Sequence, residues 1–316
     1  MAHLFLVVAT LSAAHAQQYP TKPIRFVVGF TAGGASDITS RIVGQKLTEH
    51  LGQPVIIDNR AGASGTIAGT IVAKAPADGY TLLAGATSIL AINPALYAKL
   101  DYDSLRDFIP VSQTVSMPQL LVVHPSVKAE NLRELLALAK ARPGELNYSS
   151  SGTGSSSHLA MELLKYMSGI NVVHVPFKGS GQAMPNLLAG QVQLVFDPMP
   201  TSLPHVKSGR LRAIAISTAE RSRAIPELPT VAEAGVPGYD SNLWYGVLLP
   251  ARTPPAIVAK LNQTINAILR EADVAERFAA LGAEPHGSSS VEFGRYIDAE
   301  AGKWGKVIKA VGLRAE

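Results

Sequence analysis

The chain has 316 residues, 47% of them apolar and only 16% charged, with a net charge of +4, which excludes a disordered polyelectrolyte and supplies apolar material for two cores of ~150 residues each. Its 28 Lys and Arg are spread along the chain and its aromatics amount to 6%, so nucleic acid is excluded as the main partner while small anions stay open. The absence of cysteine removes thiol nucleophiles, thiolate metal sites and disulfides together.

Residues 4–13 form an apolar run that ends in Ala14-His15-Ala16, a small-x-small cleavage pattern. Residues 1–16 therefore read as a signal peptide, although the first Lys or Arg is Lys22 and the basic n-region is missing. No later stretch approaches the ~20 uninterrupted apolar residues of a membrane span. The expectation is an exported, periplasmic protein that begins near Gln17.

From Lys22 onward, short β-rich runs alternate with segments of helical period, the pattern of a parallel α/β sheet. Residues 24–30 predict a strand. Ile38, Ile42, Val43, Leu47 and Leu51 then recur at helical spacing, and Gly52-Gln53-Pro54 stops the helix. A strand at 55–57, a helix at 66–75 and a strand at 80–84 complete a βαβαβ start. The second half repeats the plan: strands at 108–115 and 119–123, a helix at 131–141, then strands at 146–149, 171–175, 192–196 and 212–216 with helix-length stretches between them. After a strand at 242–249 come helices at 254–271, 274–281 and 291–311 without further strands to cover, so they must pack on existing sheets. Two α/β lobes with a ligand cleft between them follow, lobe 1 from 17–120 plus 246–316 and lobe 2 from 121–245, with chain crossings near 120–124 and 242–249.

Two loops stand where function is expected. Thr31-Ala32-Gly33-Gly34-Ala35-Ser36-Asp37 joins a strand to a helix, where the first-turn N–H groups lack intrahelical partners and carry the positive end of the dipole. Read alone, it is equally a tight turn whose Ser36 or Asp37 caps the helix. Ser149 to His158, with Ser151, Gly152, Thr153, Gly154, Ser155 and Ser156, repeats that context in the second half. The bland alternative is a serine-rich surface loop. Neither loop contains Lys or Arg, so anion capture would rest on amides, hydroxyls and water. His158 is a ligand contact or a cap. Asp197 ends an apolar strand and faces the cleft or caps the next segment, and Phe30 and Phe177 are cleft walls or core.

Catalytic signatures are missing: there is no G-x-S-x-G, no H-E-x-x-H and no cluster at metal spacing. Neither a catalytic residue, nor a metal, nor a cofactor is expected. Asp58 after the second strand resembles a dinucleotide-binding layout, but Gly29-Phe30-Thr31-Ala32-Gly33-Gly34 does not fit G-x-G-x-x-G. A Rossmann-like NAD-dependent enzyme remains the alternative.

Across nearly its whole length the chain resembles the solute receptors of the tripartite tricarboxylate transporter family, also called Bug receptors. The residues that carry this are 30–37, Asp58-Asn59-Arg60-Ala61-Gly62-Ala63-Ser64-Gly65, Ala77-Asp78-Gly79-Tyr80, Val173-His174-Val175-Pro176-Phe177-Lys178-Gly179, Leu228-Pro229-Thr230-Val231 and Lys303-Trp304-Gly305-Lys306. Thr31-Ala32 departs from the proline that many relatives carry near the glycines. The resemblance implies a periplasmic-binding-protein-like fold that closes on a small carboxylate and delivers it to membrane permease subunits; for a receptor that must open and close, a monomer is the expectation. It also implies that residues 31–37 and 151–158 grip carboxylates, with Thr87, Ser88 and Asp197 near the solute.

Overall fold

The computed structural model describes residues 19–314; the expected signal peptide lies outside them. The first lobe opens with β1 (Ile24–Val28), α1 (Ala35–Leu51), β2 (Val55–Asn59), α2 (Thr66–Ala73) and β3 (Thr81–Ala86), the strands parallel in the order β2-β1-β3. Gly52, at φ 68°, closes α1 by donating to the Thr48 carbonyl, a left-handed stop that glycine adopts without a Cβ clash. After β3 a π-helical turn, Ser88–Ile92, leads into the short α3 (Asn93–Leu96).

The two runs expected at 108–115 and 119–123 are one strand, β4 (Phe108–Val123). Its first part pairs with β9 (Asn242–Pro250), ending at Pro118 opposite Asn242. From Gln119 onward it pairs instead with β7 (Leu194–Pro198) and β8 (Arg212–Ile216). Pro118 has no N–H to give a ladder, and it stands where the strand exchanges partners. β5 (Asn147–Ser150) lies parallel between β7 and β6 (Val173–Pro176), with α4 (Leu132–Ala141), α5 (Ser156–Ser168), α6 (Ser180–Leu188) and α7 (Met199–Lys207) around this second sheet.

Each lobe owns a core. Leu121 and Val123 join one apolar cluster with Tyr148 and Leu164, whereas Leu120 and Val122 join another with Leu187 and Leu203. That alternation is the two-residue period of a strand covered on both faces. The C-terminal α8 (Pro255–Ile268), α9 (Ala272–Ala280), β10 (Glu284–Pro285) and α10 (Ser290–Val311) return to the first lobe, where Leu261, Phe278, Phe293 and Trp304 are buried with Ile24 and Val27. Each such side chain contributes ~1.5–3 kcal/mol. Glu300 ties α10 to β9, accepting from Trp244 Nε1 at 3.0 Å and Trp304 Nε1 at 3.3 Å.

Both chain crossings are held by Ser217. Its hydroxyl donates to the Ser241 carbonyl at 2.6 Å and accepts from Gln119 N at 2.9 Å. Its N–H donates to the Gln119 carbonyl at 2.9 Å, and its own carbonyl accepts from Ser241 N at 2.8 Å.

Candidate functional site

β1 carries the chain outward to Phe30, and the turn that follows starts α1 at the face between the lobes. Gly34 is the N-cap of α1 and Gly179 that of α6, and neither cap receives a side-chain hydrogen bond. The first-turn amides of both helices are therefore left for other partners. The two N-termini oppose each other closely: a Cβ on Gly34 would lie 3.8 Å from Ser180 N and 3.7 Å from Gly181 N. α5 begins beside them, its cap Ser155 accepting from His158 N at 3.3 Å.

These three helix starts surround a narrow hollow of about 20 Å³ lined by Gly34, Ala35 and Ser36 of α1, by Ser151, Ser155, Ser156 and Ser157 at α5, and by Ser180 of α6. Phe30, Ala86, Ser88, Gln119, Pro198, Leu243 and Tyr245 complete the wall. With the lobes this close, the space between them has room for about one water-sized group. Among the described residues that line it, none is charged. Ser36 Oγ, Ser88 Oγ and Gln119 Oε1 are buried and have no hydrogen-bond partner among the described residues. Buried polar atoms are ordinarily satisfied, so three such atoms around one hollow fit a polar guest. What enters would meet amide and hydroxyl donors and positive dipole ends, a field that favours an anion.

The two glycine-bearing loops thus share one hollow, but not every expected residue reaches it. Phe30, Gly34, Ser36, Ser88, Ser151, Ser155 and Ser156 line the cavity. Thr31, Ala32 and Gly33 shape the turn in front of it. Asp37 is spent on that turn, accepting from Gly33 N at 3.0 Å, Arg41 Nε at 2.9 Å and Asn59 Nδ2 at 3.0 Å. Burial opposes its ionisation, but Arg41, Gly33 and Asn59 prevail and hold its carboxyl below the usual range. Thr87 Oγ1 accepts from Trp244 N at 3.1 Å and so joins β3 to β9. Gly152, Thr153 and Gly154 face the first lobe at the rim, where Ser64 Oγ donates to the Thr153 carbonyl at 2.6 Å. Phe177 packs on the second lobe's core.

His158 and Asp197 stand behind the wall. The His158 ring stacks on His174 at 4.0 Å, which stacks on Tyr148 at 4.9 Å, and its Nδ1 accepts from Gly154 N at 3.1 Å. Burial, with Lys165 nearby, lowers the His158 pKa to about 4. Burial and His158 itself lower that of His174 to about 3. Both rings are neutral and brace the serine loop. Asp197, fully buried, has its pKa pushed up to about 7 by burial, against hydrogen bonds from Thr201 and Ser180. Sequence reading missed Ala86, Gln119, Ser180, Pro198, Leu243 and Tyr245; the signal for Ser180 was its place after Gly179 at a strand-to-helix turn.

Comparison with known proteins decides the family. Residues 39–313 match the tripartite tricarboxylate transporter family receptor, TctC. The chain belongs to this family. It is 39% identical to Protein BugT of Bordetella pertussis over 98% of this chain and 96% of that one. A solved R. palustris protein with adipate superimposes with a TM-score of 0.92 at 41% identity, covering 94% of this chain and 99% of the other. MatC from Rhodopseudomonas palustris, with bound malate, gives 0.88 at 33% identity over 92% and 100%. The two-lobed α/β architecture of this TctC-family chain is that of the periplasmic binding proteins, and the Rossmann-like enzyme reading is left without support. Among its described residues no helix is long and apolar enough to cross a membrane.

Proposed function

We propose that this TctC-family protein is an exported periplasmic receptor, monomeric and without catalytic activity, that closes its two lobes on a small mono- or dicarboxylate and presents the closed form to the permease subunits of a tripartite transporter. We divide the lobes as 17–120 plus 246–316 and 121–245. The observation that carries the reading is the uncharged hollow in which the starts of α1, α5 and α6 meet around unpartnered Ser36 and Ser88. A carboxylate supplies acceptors for the free amides and fixed dipole ends compensate its charge, so no Lys or Arg clamp has to be broken before release. We assign Phe30, Leu243 and Tyr245 to the solute's carbon skeleton, and the α1 and α5 loops to its oxygens. The relatives solved with adipate and with malate support the solute class.

Calorimetric titration with adipate, malate, glutamate, benzoate and NADH tests this. Heat with at least one carboxylate and none with NADH is the expected result. Silence with every carboxylate, or conversion of a bound one to a product, overturns it.

A further inference from the structure

The second lobe meets the first through glycines. A Cβ on Gly179 would lie 2.5 Å from Thr31 Oγ1, and one on Gly152 would lie 3.0 Å from Ser64 Oγ. A Cβ on Gly154 would overlap Leu96 Cδ2, and one on Gly181 would lie 2.5 Å from the Ala32 carbonyl oxygen and 3.1 Å from Thr31 Oγ1. All four obstacles belong to the opposite lobe. Gly152 at φ 124° and Gly154 at φ 84° also need glycine for their own backbone. Gly181 does not: it is the second residue of α6 and has no positive φ. Within its own lobe nothing demands glycine there, and alanine is the better helix former.

We propose that Gly181 determines closure: its missing side chain is what allows the α6 start to reach the Ala32 carbonyl, so that the cavity is sealed from both sides. The glycines beside it extend the same bare rim, and Ser64 fastens the rim by its hydrogen bond to the Thr153 carbonyl. This rests on the reading of the protein as a receptor that works by closing. A methyl group at Gly181 must push backbone apart, because the obstructing atom is a main-chain oxygen and cannot rotate aside. Overpacking of this kind lowers the closed population by roughly tenfold or more.

The chain has no cysteine, so a thiol pair can report closure without background. Ala63→Cys and Thr153→Cys place two exposed thiols on either side of the Ser64 hydrogen bond. The rate at which a short bifunctional thiol reagent joins them then follows the closed population with or without solute. Gly181→Ala in that background is expected to slow cross-linking by about tenfold or more. It is also expected to weaken whichever of malate or adipate the parent binds by a similar factor, mainly through faster release. The melting temperature of the free protein should stay level or rise. Gly302→Ala, in α10 with open space around it, is the control that changes helix propensity alone and leaves the cross-linking rate unchanged. Equal cross-linking in Gly181→Ala and the parent overturns the proposal, as does a loss of rate that Gly302→Ala reproduces. If neither acid binds the parent, the solute class fails while the cross-linking rates still decide the role of Gly181.

Discussion

Replacing His158 by asparagine removes a titrating ring and leaves an acceptor oxygen where Nδ1 receives the Gly154 N–H. In the folded chain the pKa of this ring is lowered from 6.5 to about 4 by burial and by Lys165. A histidine with a depressed folded pKa is neutral when folded but charged when unfolded over that interval. Its contribution to stability is therefore full above the unfolded pKa and is lost as pH falls from about 6.5 towards 4. At pH 5 the unfolded ring is almost wholly protonated and the folded ring about one-tenth so, which costs the parent about 2 kcal/mol relative to pH 8. His174 acts in the same direction and, half-buried, contributes a share reduced by solvent screening. Its depression eases once His158 is gone, again flattening the curve. Urea unfolding of the parent and His158→Asn at pH 8 and pH 5 gives four stabilities. The parent should lose about 2 kcal/mol more than the variant on acidification. Parallel losses would refute the claim that the stack is held neutral by burial.

Asp197 carries the opposite sign, because its folded pKa is raised to about 7. The penalty of ionising it is full above pH 7 and disappears as pH falls towards 4, so the stability advantage of Asp197→Asn over the parent should grow by about 4 kcal/mol from pH 4 to pH 8. A gap that stays constant with pH, measured by urea unfolding, would contradict this. Glu300→Leu leaves the indole N–H groups of Trp244 and Trp304 without their acceptor and should cost about 2–4 kcal/mol; a thermal melt within a degree of the parent would show that water or another group replaces it.

The fold was legible where periodicity dominates. The βαβαβ start, the helix at 132–141 and the three C-terminal helices fall close to their predicted places, because each has a continuous apolar face that only one packing arrangement buries. β4 was read as two runs because Pro118 punctuates it, and nothing local shows that a strand can continue by changing partners there. The loops at 31–37 and 149–158 were legible from glycine and hydroxyl density at strand-to-helix turns. Gln119, Leu243 and Tyr245 were not, since each sits in a strand whose apolar run gives no sign that one residue faces a hollow. Asp37, Thr87 and His158 look functional by type, and in the folded chain Asp37 holds the turn, Thr87 the β3–β9 seam and His158 Nδ1 the serine loop. Chemistry-bearing residue types mark the neighbourhood; which of them face inward is fixed by tertiary register.

The four hydrogen bonds that Ser217 makes to Gln119 and Ser241 bind the crossing strands into a single axle. Sliding Gln119 past Ser217 would stretch both bonds between them, whereas swinging about that pair keeps their lengths. A swing about this clip moves the wall of the hollow and the glycine rim together, because both lie on the same side of it as parts of one lobe face.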